Sequence, residues 1–262
     1  MAEVIVVSSR QAAGALVAEA IERLVATKPD AVLGLATGDT PLPVYRALAE
    51  RVQAGLDLSG VRGFALDEYV GIALDHPESY HSVIDREVVR PLGLTPSAVH
   101  VPDGRPLGIE TAGERYETAI VAAGGIDLQL LGIGTDGHIG FNEPGSSFAS
   151  LTRVKTLTRQ TRDDNARFFD SVDDVPVHSI TQGLGTILRA KRLVLLAFGA
   201  GKAHAVAAAV EGPLTASVPA SAIQLHPRAT VVVDEEAASM LTELDYYREA
   251  FAQKPVWDPV VL

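Results

Sequence analysis

No cysteine occurs among the 262 residues, which removes disulfide frameworks, thiolate metal sites and cysteine nucleophiles together. Cations are also scarce: 22 Lys and Arg stand against 33 Asp and Glu, for a formal charge of -11. Such a surface repels phosphate backbones and acidic membranes, so neither nucleic acid nor a membrane is an expected partner, while small anionic ligands stay open through local basic residues. No apolar run approaches the roughly 20 residues of a bilayer span. The opening MAEVIVVSSR is too short in apolar residues for a secretory signal, so the chain reads as cytoplasmic. There is also no Gly/Ser linker, long charge run or internal repeat, which favours one domain over residues 1–262.

What is present is a large apolar fraction, 47%, arranged in short β-branched runs between Ala-rich segments of helical character. Strands are predicted at Val4 to Val7, Val32 to Ala36, Val61 to Leu66, Ile126 to Ile133, Leu193 to Phe198 and Thr230 to Asp234. Helices are predicted at Gln11 to Ala26, Pro41 to Gln53, Ile109 to Ala122, Thr181 to Arg189 and Lys202 to Glu211. Alternation of this kind predicts an α/β fold, an open, mostly parallel, doubly wound (Rossmann-like) sheet with helices on both faces. Ligands of such folds sit outside the carboxyl ends of the strands, so function is sought just after each strand. The longest stretch without a clear pattern runs from about Gly134 to Pro176, and a mobile lid is expected within about 146–180.

Three segments after strands carry chemistry. The first, Gly34 to Pro41, leaves a strand through a glycine turn and enters a helix, where Thr37, Gly38, Asp39 and Thr40 would cradle a phosphate. An ordinary turn with Thr40 as N-cap is an even alternative, and Asp39 counts mildly against an anion. In the second, Asp67 and Glu68 stand at a predicted strand end. Partial desolvation there would make Asp67 a base, although both carboxylates could equally be caps. His76 and His81 lack a third ligand, so no metal is expected. The third formally contains GxGxxG at Gly132, Gly134 and Gly137, but the Asn-Glu-Pro-Gly at 142–145 breaks any following helix and no acid follows for a ribose. These glycines read better as a tight turn gathering Asp136, His138 and Glu143, with the two acids holding the imidazole for acid-base work. A core histidine with surface acids is the bland alternative, and a Ser-His-Asp hydrolase is disfavoured by the absence of GxSxG. Among the scarce cations, Arg153, Lys155, Arg159, Arg162 and Arg167 cluster in the lid region and Lys202 follows a strand. Arg167 and Lys202 are the preferred phosphate ligands.

Six strings in series, GLATGxTP at 34–41, LDEYVG at 66–71, HPESYH at 76–81, GxDGHIGFNEPG at 134–145, TRxxNARFF at 161–169 and VEGP at 210–213, closely resemble the glucosamine-6-phosphate deaminase family over almost the whole chain. The resemblance implies conversion of glucosamine 6-phosphate and water to fructose 6-phosphate and ammonia, with no cofactor or metal. His138, supported by Asp136 and Glu143, would assist ring opening, and Asp67 would move the proton between C2 and C1. Thr37 to Thr40, Arg167 and Lys202 would hold the phosphate. In oligomeric members an allosteric site uses residues matching Ser146, Arg153, Lys155 and Tyr246, and the resemblance leaves monomer or homo-oligomer open. Three positions depart from the pattern: Asp39 replaces a usual Gly or Ser, Leu151 a usual Arg, and Gln182 a small or apolar residue. A galactosamine-6-phosphate deaminase, a 6-phosphogluconolactonase and a non-catalytic sugar-phosphate sensor are the competing readings.

Overall fold

Short runs of Val, Leu and Ile pair side by side because neither of their faces can be left in water. The computed structural model describes residues 2–254. Its strands are β1 (Glu3–Val7), β2 (Val32–Leu35), β3 (Arg62–Ala65), β4 (Asp67–Tyr69), β5 (Val99–His100), β6 (Leu128–Leu131), β7 (Arg153–Thr156), β8 (His178–Thr181), β9 (Leu193–Ala197) and β10 (Ala229–Asp234). Seven of them form one sheet in the order β1-β10-β9-β6-β2-β3-β5, every pair parallel. All residues of β2, β6 and β9 are buried, as expected of strands covered on both faces. The covering helices include Arg10–Thr27, Leu42–Gln53, Ile109–Ala122 and Ala203–Val210.

From β2 the chain moves outward through β3 to β5, then returns to place β6 on the other side of β2 and continues through β9 to β10. This reversal makes the carboxyl ends of β2 and β6 the switch point, where the outgoing loops diverge and leave a crevice. At the opposite end the buried Asp127 carboxylate accepts from the Val32 amide (2.8 Å), Lys28 Nζ (2.6 Å) and Lys191 Nζ (2.7 Å). One side chain thus ties together the segments entering β2, β6 and β9.

The six strands expected from sequence are all present, each within two residues of its predicted ends. A second sheet was not expected. β4, β8 and β7 form a three-stranded antiparallel layer in which Thr181 is opposite Asp67 on one side and Arg153 on the other. Asp67 and Glu68 therefore open a new strand rather than close β3, and Thr181 belongs to β8. The predicted helix Thr181 to Arg189 shrinks to Leu184–Ile187, because the cross-strand pairing of Thr181 claims its start. The patternless stretch after Gly134 likewise holds β7, helix Arg159–Asn165 and single turns at Ala166–Phe168 and Val172–Asp174. Tyr69, Phe141, Leu157 and Val175 form a small second apolar core here, with Phe169 packed against it.

Candidate active site

A cavity of about 510 Å³ opens at the switch point. Eight of the ten catalytic and phosphate residues expected from sequence line it: Thr37, Gly38, Asp39 and Thr40 after β2, Asp67 on β4, His138 after β6, Arg167 between β7 and β8, and Lys202 after β9. Asp136 and Glu143 stand behind His138.

Asp67 is 6% exposed. Burial raises its pKa to about 8, with repulsion from Glu68 added and the Phe141 amide and Thr181 hydroxyl pulling the other way. A carboxyl so placed is a stronger base than one in water. Its neighbour has a different task. Glu68 accepts from the amides of Tyr69 (2.8 Å), Tyr80 (2.9 Å) and His81 (2.9 Å), satisfying the first donors of the helix Tyr80–Ile84. The capping alternative thus holds for Glu68, whereas Asp67 faces the cavity.

The loop after β6 turns sharply instead of starting a helix. Gly137 has φ +84°, and a Cβ on Gly134 would lie 2.2 Å from His138 Cε1, so the ring folds back over the turn only because Gly134 has no side chain. That geometry disposes of the dinucleotide fingerprint. His138 Nδ1 lies 2.7 Å from Asp136 Oδ1 and 3.9 Å from Glu143 Oε2, although the nearer contact is off the line of a well-formed hydrogen bond. Burial works to raise the Asp136 pKa, but hydrogen bonding to and the charge of His138 outweigh it and hold the carboxyl below its ordinary value. Glu143 accepts from the Thr158 amide at 2.9 Å. The three side chains bring ligand-type atoms within 4.8 Å of one another. Each acid is nonetheless held by a backbone N–H as well, from His138 to Asp136 and from Thr158 to Glu143. With Nδ1 turned toward the acids, Nε2 is the ring nitrogen left for a ligand.

On the anion side, the helix Leu42–Gln53 starts at Pro41 with no side-chain cap, so the Thr40 capping alternative fails and its hydroxyl is left to the cavity. Lys202 is half-buried, and burial lowers its pKa, opposed by the Asp164 carboxylate and assisted by Arg167. Arg167 lies over the Phe168 ring at 4.7 Å and pairs with Asp39 at 3.4 Å.

The four residues matched to an allosteric site are only partly gathered. Arg153 donates to Asn142 Oδ1 (2.8 Å) and Ser146 Oγ (3.3 Å), and Ser146 donates to the Glu143 carbonyl (2.7 Å). Lys155 follows on β7, opposite Ser179. Tyr246 stands apart from them: it lies on helix Leu244–Ala252 beside the edge strand β1 and meets the Tyr247 ring. Of the departures, Gln182 is fully buried and donates to the Ala65 carbonyl at 3.0 Å, joining β8 to the end of β3, while Leu151 is exposed.

Sequence reasoning missed the aromatic wall. Tyr69, Tyr80, Phe141, Phe168 and Phe169 all line the cavity. Tyr80 donates to Tyr69 Oη at 3.4 Å and stacks on Phe141 at 6.0 Å. Burial pushes both phenols above their ordinary pKa, so they remain neutral donors. The strings HPESYH and NARFF held the signal, but only the second sheet brings them together.

A buried carboxyl, an acid-flanked imidazole and a glycine turn at a helix start thus face one crevice at the switch point, the place where α/β enzymes bind small ligands. The chain belongs to the family of glucosamine-6-phosphate isomerases and 6-phosphogluconolactonases, whose model matches residues 8–233. It is 59% identical over 270 residues to the glucosamine-6-phosphate deaminase of Bifidobacterium longum subsp. infantis, covering 99% of this chain and 100% of that protein. With the Streptomyces coelicolor glucosamine-6-phosphate deaminase it is 60% identical over 260 residues, covering 98% and 100%. Among solved structures, a monomeric glucosamine-6-phosphate deaminase superposes with a TM-score of 0.88 at 42% identity, covering 91% of this chain and 99% of that one. A 6-phosphogluconolactonase from Trypanosoma cruzi shares the fold, with a TM-score of 0.75 at 21% identity over 92% of this chain and 97% of its own. Among the described residues no helix is long and apolar enough to cross a membrane.

Proposed function

We propose that the chain is an isomerising glucosamine-6-phosphate deaminase. The observation that carries this reading is the placement of Asp67 and His138 on one cavity beside the Thr37–Thr40 loop, in a chain 58–60% identical to several proteins of that name. His138 moves a proton from the anomeric hydroxyl to the ring oxygen, opening the pyranose, with Asp136 and Glu143 fixing the ring. Asp67 then takes the C2 proton of the open-chain aldehyde, and the electron pair passes to the C1 carbonyl, giving an enolamine. Returning a proton to C1 leaves an iminium at C2. Water adds there, ammonia departs and fructose 6-phosphate remains. The adjacent carbonyl acidifies C2, so the step requires no cofactor or metal. Thr37 to Thr40, Arg167 and Lys202 hold the phosphate, and the neutral phenols of Tyr69 and Tyr80 help exclude water from the polar contacts. The segment between β7 and β8, within 146–180, serves as the lid, and the enzyme works in the cytoplasm.

Ammonia and fructose 6-phosphate released from glucosamine 6-phosphate by the purified protein test this directly. Galactosamine 6-phosphate and 6-phosphogluconolactone in the same panel separate the neighbouring activities. Failure to release ammonia at saturating substrate would sink the reading.

A further inference from the structure

Three cations line the cavity, Arg86, Arg167 and Lys202. Two are already engaged by carboxylates, Arg86 by Glu87 at 2.8 Å and Arg167 by Asp39 at 3.4 Å. The second pair is unusual in its placement. Asp39 is the only acid in the loop after β2, and Arg167 comes from the segment between β7 and β8, so the pair bridges two separate parts of the cavity wall. Both side chains are more than half exposed, at 55% and 63%. A guanidinium offers the same kind of N–H donor to a carboxylate and to a phosphoryl group, so a phosphoryl oxygen competes with the Asp39 carboxylate for the Arg167 terminal nitrogen that Asp39 engages.

We propose that Asp39 is an internal competitor for the phosphoryl group: it holds Arg167 until the ligand displaces it, and thereby sets how tightly this site holds any phosphate. The proposal rests on the phosphate reading of the Thr37–Thr40 loop given above. An exposed ion pair is weak, so displacement is easy, yet it weakens every phosphate ligand by a common factor. Substrate and product carry the same phosphoryl group, so the device loosens both alike and speeds product departure.

The test is a double-mutant cycle read by calorimetric titration with inorganic phosphate, on the wild type, Asp39→Asn, Arg167→Met and the double variant. Asp39→Asn is nearly isosteric at an exposed position, and its fold is checked by thermal melting. It is expected to tighten phosphate by about two- to fivefold and to lower KM for glucosamine 6-phosphate and Ki for fructose 6-phosphate by the same factor. In the Arg167→Met background the gain should shrink below about twofold, since no fork is left to compete for. An unchanged or weakened phosphate affinity in Asp39→Asn, including no measurable binding to either protein, overturns the proposal. So does an undiminished gain without Arg167, which would reduce Asp39 to simple repulsion. A chain that shows the cycle but releases no ammonia refutes the deaminase reading alone; one that releases ammonia without the cycle refutes the competitor alone.

Discussion

Replacing Asp67 by Asn separates what the site needs for chemistry from what the fold would prefer. The carboxyl is nearly enclosed, and burial lifts its pKa from an ordinary 3.8 to about 8. At about 1.4 kcal/mol per pH unit, the folded protein opposes ionisation of this group by about 6 kcal/mol. Because the cavity opens to solvent, about 2 to 4 kcal/mol is the expected effect. The sign follows from proton counting. Between pH 4 and 8 the unfolded chain has released this proton and the folded chain still holds it, so wild-type stability falls as pH rises through that window and levels off above about 8. Asn has no proton to lose. The variant should therefore melt close to wild type near pH 4 and about 5–15 °C above it at pH 8.5, while turnover drops by about 10²–10⁴-fold. Binding of a substrate analogue should stay nearly intact, because little volume is removed. Differential scanning calorimetry across pH, beside an ammonia assay, reads both effects. A melting gap that does not change with pH, or a variant less stable throughout, would refute the account of Asp67 as a desolvated base. The wild-type kcat/KM should in turn rise with pH toward 8, as the base loses its proton.

His138→Gln should cost turnover on cyclic substrate far more than on an open-chain analogue, and equal losses would remove ring opening from its role. Lys202→Met should raise KM for glucosamine 6-phosphate by about 10- to 100-fold, the worth of a charged hydrogen bond, and flatten the dependence of KM on salt. Asp127→Ala should lower stability by about 1–3 kcal/mol in urea unfolding, because the buried Val32 amide loses its acceptor and two lysines lose their partner. Its KM should stay at the wild-type value, since Asp127 is at the end of the sheet away from the cavity.

Sequence alone determined the layered frame and most of the ingredients of the site. Continuous apolar runs too short for helices have to be strands covered on both faces, and this located six strands of the main sheet. Looking just after each strand then singled out Thr37 to Thr40, Asp67, Asp136, His138, Glu143 and Lys202 as candidates, because loops that follow parallel strands converge at one end whatever the strand order. The tertiary structure alone decided the rest. β4, β7 and β8 are three or four residues each, half polar, and stable only through partners more than 80 residues away in the case of Asp67 and Thr181, so no local pattern announces them. That sheet buries Asp67 just past the carboxyl end of β3, divides its role from that of Glu68, and assembles the aromatic wall from Tyr69, Tyr80, Phe141 and Phe169. It also brings Arg167 across to Asp39. Residue types follow from local composition, but burial and ion pairing depend on which distant segments meet, and these set the basicity of Asp67 and the partner of Arg167.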